Sequence, residues 1–389
     1  MDNIQSLRLD YFKTGIFSAL NEECERLRSE GKKIYNLSIG TPDFKPPKHI
    51  IDALTQSASD PLSWRYSLTD TEELKAAVCG YYKKRFNVKI EHDNITSVHG
   101  TQEGMGHLGL AILNKGDVVL LPDPGYPIFE VGAYFGEAEI YFYPLLKENN
   151  FLPRLDKIPE EILKRTKMLV LSYPSNPCGA AAPVSVYKEA ISYAKKYDFL
   201  VINDNAYSDI IFDGREGISF LSLDGAMEVG AEFFSLSKSF NVTGARISFL
   251  IGNKKIIDAL NLLRSQYDFG MFYPVQAAAV AALTGPLDHI KPQCEEYQKR
   301  RDTLCQGLRD IGWNVPNSDG TMFVWLPIPK NYTSSDKFCL DLARRAGVLG
   351  TPGTAFGPSG EGYIRFALVK PCDELLEIVN AIKESGILC

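Results

Sequence analysis

Short apolar runs and longer stretches of helical spacing alternate through the middle of this chain. Val118–Leu121, Met168–Ser172, Leu200–Asn203 and Glu232–Ser235 are brief, mostly apolar and followed by turn-forming residues, which predicts four buried strands. Between them, Tyr126–Phe135 and Val184–Tyr197 (the latter opened by Pro183) read as helices. Strands alternating with helices predict right-handed βαβ units, a largely parallel sheet and hence an α/β fold. Such a sheet places its ligand at the carboxyl ends of its strands. Asp123, Tyr126, Asn176, Asp204, Tyr207 and Lys238 all fall at or just past a predicted strand end.

After about Gly285 the pattern changes. A long polar helix over His289–Ile311 precedes a strand (Met322–Leu326), a helix (Ser334–Ala346), a strand (Tyr363–Leu368) and a last helix (Asp373–Ser385). This block reads as a smaller α+β domain, and a chain of 389 residues exceeds the size at which one core usually keeps growing. The expected division is a large domain over 45–285 and a small one built from 1–44 with 286–389. No repeat and no Gly/Ser- or Pro-rich linker interrupts either part.

A net charge of -6 argues against nucleic acid as the main partner, while leaving room for a pocket that takes one phosphate. No apolar run approaches the roughly 18 residues that span a bilayer, and residues 1–10 lack a signal-peptide core. Cysteines at 24, 79, 178, 294, 305, 339, 372 and 389 include no Cys-x-x-Cys pair. Reduced thiols are therefore expected, with no disulfide framework, no metal site, no membrane contact and a cytoplasmic location.

The most informative stretch is Phe234-Ser-Leu-Ser-Lys238-Ser-Phe240, where an apolar strand runs into small hydroxyl residues around one lysine. Arg246 follows Thr243-Gly244. A lysine that forms a Schiff base needs partial desolvation so that its amine can be neutral near pH 7. Hydroxyl donors and a forked guanidinium nearby suit a phosphate dianion. Read alone, the same residues equally describe a surface lysine in a turn after a strand.

Ser235-Leu-Ser-Lys238 followed by Gly244-Ala-Arg246 resembles the cofactor-lysine motif of the class I/II (fold type I) aminotransferases that use pyridoxal 5′-phosphate. Further motifs of that family follow in order: Asn36-Leu-Ser-Ile-Gly-Thr-Pro-Asp43, Gly100-Thr-Gln102, Pro122-Asp-Pro-Gly-Tyr126-Pro, Tyr173-Pro-Ser-Asn176-Pro, Asp204-Asn-Ala-Tyr207, Pro352-Gly-Thr-Ala-Phe-Gly357 and Tyr363-Ile-Arg365-Phe. The resemblance spans residues 11–386. It implies a large domain with a mostly parallel sheet flanked by helices, plus a smaller α+β domain. It also implies amino transfer between an amino acid and a 2-oxo acid by a ping-pong route, in a homodimer with shared active sites. Asp-Asn-Ala-Tyr-Ser and Gly-Thr-Gln-Glu-Gly look most like the branch holding LL-diaminopimelate and alanine-type aminotransferases.

Roles come with the resemblance, residue by residue. Lys238 would hold the cofactor as a Schiff base and carry a proton at the substrate's α-carbon. Asp204 would keep the cofactor's ring nitrogen protonated, and Asn176 and Tyr207 would bond its phenolic oxygen. Tyr126 would stack on the ring. Gly100, Thr101 and Gln102 at a helix start, with Ser235 and Arg246, would cup the phosphate. Arg365 would grip the substrate's α-carboxylate, and Gly40 would let the substrate approach the backbone. Tyr66 would reach the phosphate of the neighbouring subunit. Here the chain departs from the family pattern, with Thr71 where a glycine usually stands and one residue fewer before Glu73-Leu74.

Two other activities stay in view. A C–S β-lyase of the cystathionine type would use the same residues, because both reactions begin by removing the α-proton. An effector-sensing transcription regulator on this fold would need a basic helix-turn-helix domain, for which a resemblance starting near Tyr11 leaves no room. The pocket for the substrate's side chain is not marked by any motif: Arg28, Arg65 and Arg264 are all conceivable partners for a distal carboxylate.

Overall fold

A computed structural model describes residues 4–12 and 15–388. Seven strands form the central sheet: β2 (Ile95–Val98), β3 (Val118–Asp123), β4 (Glu139–Pro144), β5 (Thr166–Ser172), β6 (Leu200–Asp204), β7 (Gly230–Ser235) and β8 (Ser248–Gly252), with β1 (Tyr35–Asn36) lying elsewhere. Their spatial order is β2-β8-β7-β6-β5-β3-β4, and β8 alone runs antiparallel to its neighbours. Each of the four predicted strands is present and extends by one to two residues at one end. Their unbroken apolar runs follow from burial on both faces, where alternation with polar residues would strand side chains away from water. All six residues of β3 are buried.

Helices cover both faces of this sheet. One face packs against Thr101–Ile112, Ile128–Phe135 and Lys254–Ser265 through residues such as Leu108, Phe129, Val170, Phe233 and Leu260. The other packs against Glu72–Phe86, Val184–Tyr197 and Tyr273–Thr284 through Val78, Leu120, Ala190, Leu169 and Ala279. Each fully buried Leu, Val or Phe contributes about 1.5–3 kcal/mol. The expected helix over Tyr126–Phe135 begins only at Ile128, leaving Tyr126 in the turn ahead of it. Pro127 sits at the cap, a place where its missing N–H costs nothing.

The C-terminal block carries its own antiparallel sheet, β11 (Thr351–Pro352), β12 (Tyr363–Ala367) and β9 (Phe323–Pro327) in that order. A separate pair joins β1 to β10 (Val348–Leu349), so the N-terminal segment packs with the C-terminal elements. Helices Ile290–Asp310, Ser335–Ala346 and Cys372–Glu384 enclose a third apolar cluster here. Arg300, on the first of these, donates to both carboxylate oxygens of Asp43 (2.7 and 2.9 Å) and to the Leu368 carbonyl (3.1 Å).

Two of the helices cross with almost no space between their backbones. A β-carbon on Gly109 would overlap the carbonyl of Gly132. Gly109→Ala should therefore destabilise the protein. Overpacking costs about 1–3 kcal/mol, offset in part by the roughly 1 kcal/mol that alanine gains as a helix former. A urea midpoint unchanged or raised in that variant would contradict the close packing.

Candidate active site

Parallel strands release the chain on one side of the central sheet, and the sequence places polar residues at each exit. Tyr126 follows β3, Asn176 follows β5, Asp204 ends β6 with Tyr207 in the next turn, and Ser235 ends β7. Lys238 lies in the short helical turn Leu236–Ser239. Gly100 caps the helix Thr101–Ile112, while Gly40 and Arg365 approach from the N-terminal segment and β12. These residues, with Thr101, Gln102 and Arg246, line one cavity of about 1230 Å³. Tyr66 does not line it; its side chain is 85% exposed, beside Phe269.

Lys238 donates from Nζ to the Gly40 carbonyl at 2.8 Å. Burial pulls its pKa down to about 8, helped by the nearby charges of Arg365 and Arg246 and opposed by Asp204. Its main chain is clamped from below. The Gln293 amide donates to the Lys238 carbonyl (2.9 Å), and His289 Nε2 lies 3.1 Å from the Ser239 carbonyl. Asp204 moves the other way: burial raises its carboxyl to about 7, against the lowering effect of the Ala206 N–H. Its Oδ1 is buried with no hydrogen-bond partner among the described residues. A lone buried acceptor of this kind costs about 1–3 kcal/mol until a donor meets it.

Arg365 is held in one pose. Its Nη1 donates to Asn176 Oδ1 (2.7 Å) and its Nη2 to the Ser38 carbonyl (2.8 Å). The guanidinium lies 4.0 Å from the ring centre of Phe323 and 4.7 Å from that of Phe356. Burial lowers its pKa to about 10, and Nε has no partner among the described residues. Tyr207 sits edge-on to Phe323, and burial pushes its phenol well up.

The far end of the cavity is built for an anion. Gly100 has φ +89°, and a β-carbon there would overlap the Arg246 guanidinium, so only glycine lets that side chain lie over the helix start. The N–H groups of the first helical turn have no intrahelical acceptor and carry the positive end of the helix dipole. Arg246 donates to the Thr243 carbonyl (3.1 Å) and has no carboxylate partner among the described residues. Hydroxyls of Ser235, Ser248 and Thr101 form a chain beside it.

This arrangement suits imine chemistry on a molecule anchored by an anionic end, with a carboxylate received separately by Arg365. Several contributors carry no sequence signal. Gln293 lies 55 residues beyond Lys238, and its amide is aimed by a helix whose register only the folded chain reveals. Phe356 and Ser38 lie inside motifs already singled out, but their contacts to Arg365 depend on tertiary placement. Among the arginines considered for a distal carboxylate, Arg264 is buried, with its donors committed to Asp268 and the carbonyls of Ser97 and Phe269. Arg28 pairs with Glu25, and Arg65 lies over Tyr273. None of the three lines the cavity.

Residues 32–382 match the family model described as aminotransferase class I and II. An LL-diaminopimelate aminotransferase from Dehalococcoides mccartyi is 42% identical over 374 residues, covering 96% of both chains. Among solved structures, substrate-bound BacF from Bacillus subtilis superposes with a TM-score of 0.94 at 34% identity, over 98% of both chains. A probable N-succinyldiaminopimelate aminotransferase from Thermus thermophilus gives 0.90 at 32% identity, over 95% of this chain and all of that one.

The environment of Lys238 sets its reactivity with pH. A lowered pKa leaves more neutral amine at any given pH, so its reaction with a small aldehyde should rise with pH and reach half its maximum near 8. Borohydride trapping followed by peptide mapping reads this out; a midpoint near 10.5 at position 238 would show the amine to be solvated.

Proposed function

The chain belongs to the class I and II aminotransferase family and is an enzyme that moves an amino group between an amino acid and a 2-oxo acid; from that premise we propose that the cavity around Lys238 is its active site. The family depends on pyridoxal 5′-phosphate, and the residues present fit it. The observation that carries this reading is the unpartnered Oδ1 of buried Asp204, an acceptor waiting for a ring N–H, set across one cavity from a lysine whose pKa is depressed to about 8. When bound, the cofactor supplies a carbon that condenses with amines and a ring that withdraws electrons from the substrate's α-carbon.

The chain's own residues do the rest. Lys238 anchors the cofactor and, once displaced, is a base of suitable strength for the proton at the α-carbon. Asp204 would keep the ring nitrogen protonated, and a cationic ring would in turn offset the cost of burying this carboxylate. Asn176 and Tyr207 would hold the phenolic oxygen, and Tyr126 would back the ring face. Gly100, Thr101, Gln102, Ser235 and Arg246 receive the phosphate. Arg365 takes the α-carboxylate, its pose set beforehand by Asn176 and Ser38. The ping-pong order follows from one cavity serving both amino and oxo acid in turn.

For the substrate, we infer a diamino acid of the LL-diaminopimelate type, the substrate in the names of the relatives. Two carboxylates, Glu130 and Asp336, line the same cavity and favour an ammonium group on the substrate's side chain. Every lysine or arginine lining it (Lys238, Arg246 and Arg365) already has a role among the described residues, so the distal carboxylate of such a substrate would be met by neutral donors or by a partner subunit. The large domain is proposed to run over 45–285 and the small one to combine 1–44 with 286–389; most of the C-terminal apolar cluster comes from the second set, with Tyr207, Ile210 and Phe212 joining it from the first. The location is proposed to be cytoplasmic; among the described residues no helix is long and apolar enough to cross a membrane.

A homodimer completes the proposal. Leu62, Trp64, Tyr66, Leu68, Tyr267 and Phe269 are exposed on neighbouring segments, a concentration of apolar surface typical of a covered interface. Tyr66 would then reach the partner's phosphate site. Thr71 caps the following helix, its Oγ1 accepting from Leu74 N at 3.2 Å, which accounts for a residue other than glycine there.

Mixing the cofactor-loaded enzyme with LL-diaminopimelate alone should convert one equivalent to the aminated cofactor and stop until an oxo acid is added. Arg365→Lys should raise the apparent KM for the amino acid at least tenfold, since an ammonium cannot reproduce the fork. Sustained pyruvate release from cystathionine without any oxo acid would overturn the transferase reading in favour of a lyase. Sedimentation velocity should give a dimer, and Leu62→Glu/Leu68→Glu should weaken it; a monomeric parent enzyme with full activity would exclude the shared site.

A further inference from the structure

A second cavity, of about 390 Å³, opens behind the first. The two share a strand pair. Trp325 on β9 stands directly opposite Arg365 on β12, so both side chains leave the same face of that sheet. Tyr363, two residues before Arg365, shares this face and stacks on Trp325 with ring centres 5.0 Å apart. At the Arg365 end the face meets the active-site cavity; at the Trp325 end it lines the second one. The cavities also share a loop. Asn176 accepts from Arg365, whereas Cys178 and Gly179 line the second cavity.

Two buried polar groups of this second cavity can donate. Trp325 Nε1 and Ser318 Oγ are buried without a hydrogen-bond partner among the described residues, and the two side chains are only 3% and 6% exposed. Lys147, at the rim, has no carboxylate partner among the described residues. The one acid in the lining, Asp319, is already paired with Arg215 at 2.8 Å. The rings of Phe151, Trp325 and Tyr363 provide flat apolar walls. The volume falls within the few hundred cubic ångströms usual for small-molecule sites.

We propose that this cavity is a second binding site for a small carboxylate with a flat apolar body. The carboxylate meets Ser318, Trp325 and Lys147, and the body lies along the aromatic walls. Because the loop 176–179 and the Trp325–Arg365 pair border both cavities, occupancy here and amino-acid binding at Arg365 are linked, and the linkage acts equally in both directions.

The probe is 3-phenylpropionate, a carboxylate that has no amino or oxo group and so cannot be turned over. Equilibrium dialysis against the cofactor-loaded enzyme should find two molecules per chain: one at Arg365, displaced by excess amino acid, and one that stays. The double variant Lys147→Met/Ser318→Ala should lose the second molecule, or bind it at least tenfold more weakly, while its uninhibited transamination rate matches the parent's. In steady state, inhibition against the amino acid should be mixed in the parent and competitive in the variant. A single molecule per chain, wholly displaced by amino acid, would overturn the proposal. So would a second molecule bound equally well by the variant. The stoichiometry can be read whatever the enzyme's true substrate.

Discussion

Lys238, Asp204 and Arg365 are ionisable groups taken out of water around one cavity, and none is fully compensated by the protein. Burial drives the lysine and the arginine down and the acid up, each toward its neutral form. Most proteins avoid this, because an unpaired buried charge costs several kcal/mol. Here the three shortfalls are complementary to one set of ligands: an aldehyde for the amine, a protonated ring nitrogen for the acid and a carboxylate for the guanidinium. On the proposed reading, the cofactor would meet the first two and the substrate the third, so binding would offset an electrostatic cost that folding has already met.

The fold supplies the rigidity that such a cost demands. The polar groups sit on turns just past strand ends whose apolar bodies are packed on both sides, so the sheet fixes where each turn begins. Glycine supplies the close approaches that side chains would block. At position 100 it combines a left-handed φ with room for Arg246; at position 40 a β-carbon would overlap the Phe323 ring that supports Arg365.

Much of this is legible in the sequence for a physical reason. Strands buried on both faces leave continuous apolar runs, and a site at strand ends puts its residues next to those runs in the chain. Lys238, Asp204, Asn176, Tyr126 and Ser235 are found that way, and Arg365 and Gly100 through motif resemblance. Tyr66 is selected too, yet the single chain leaves it in solvent away from the cavity, and the role proposed for it depends on a second subunit. Gln293, Glu130 and Trp325 give no local signal. They reach their places through helix register and cross-strand pairing, which link residues far apart in sequence. The start of the helix after Tyr126 falls two residues later than its apolar spacing predicts, since that spacing continues backward through a proline that caps rather than extends it.

The helix Ile290–Asp310 carries a consequence beyond architecture. Near one end Gln293 grips the lysine's own carbonyl, and about two turns along Arg300 ties Asp43 to the end of the C-terminal sheet. A single helix of 21 residues therefore touches both the main chain of the reactive lysine and the C-terminal sheet. The lysine's main chain and the end of the C-terminal sheet are thereby held by side chains of one continuous helix, so a substitution that shifts this helix should disturb both.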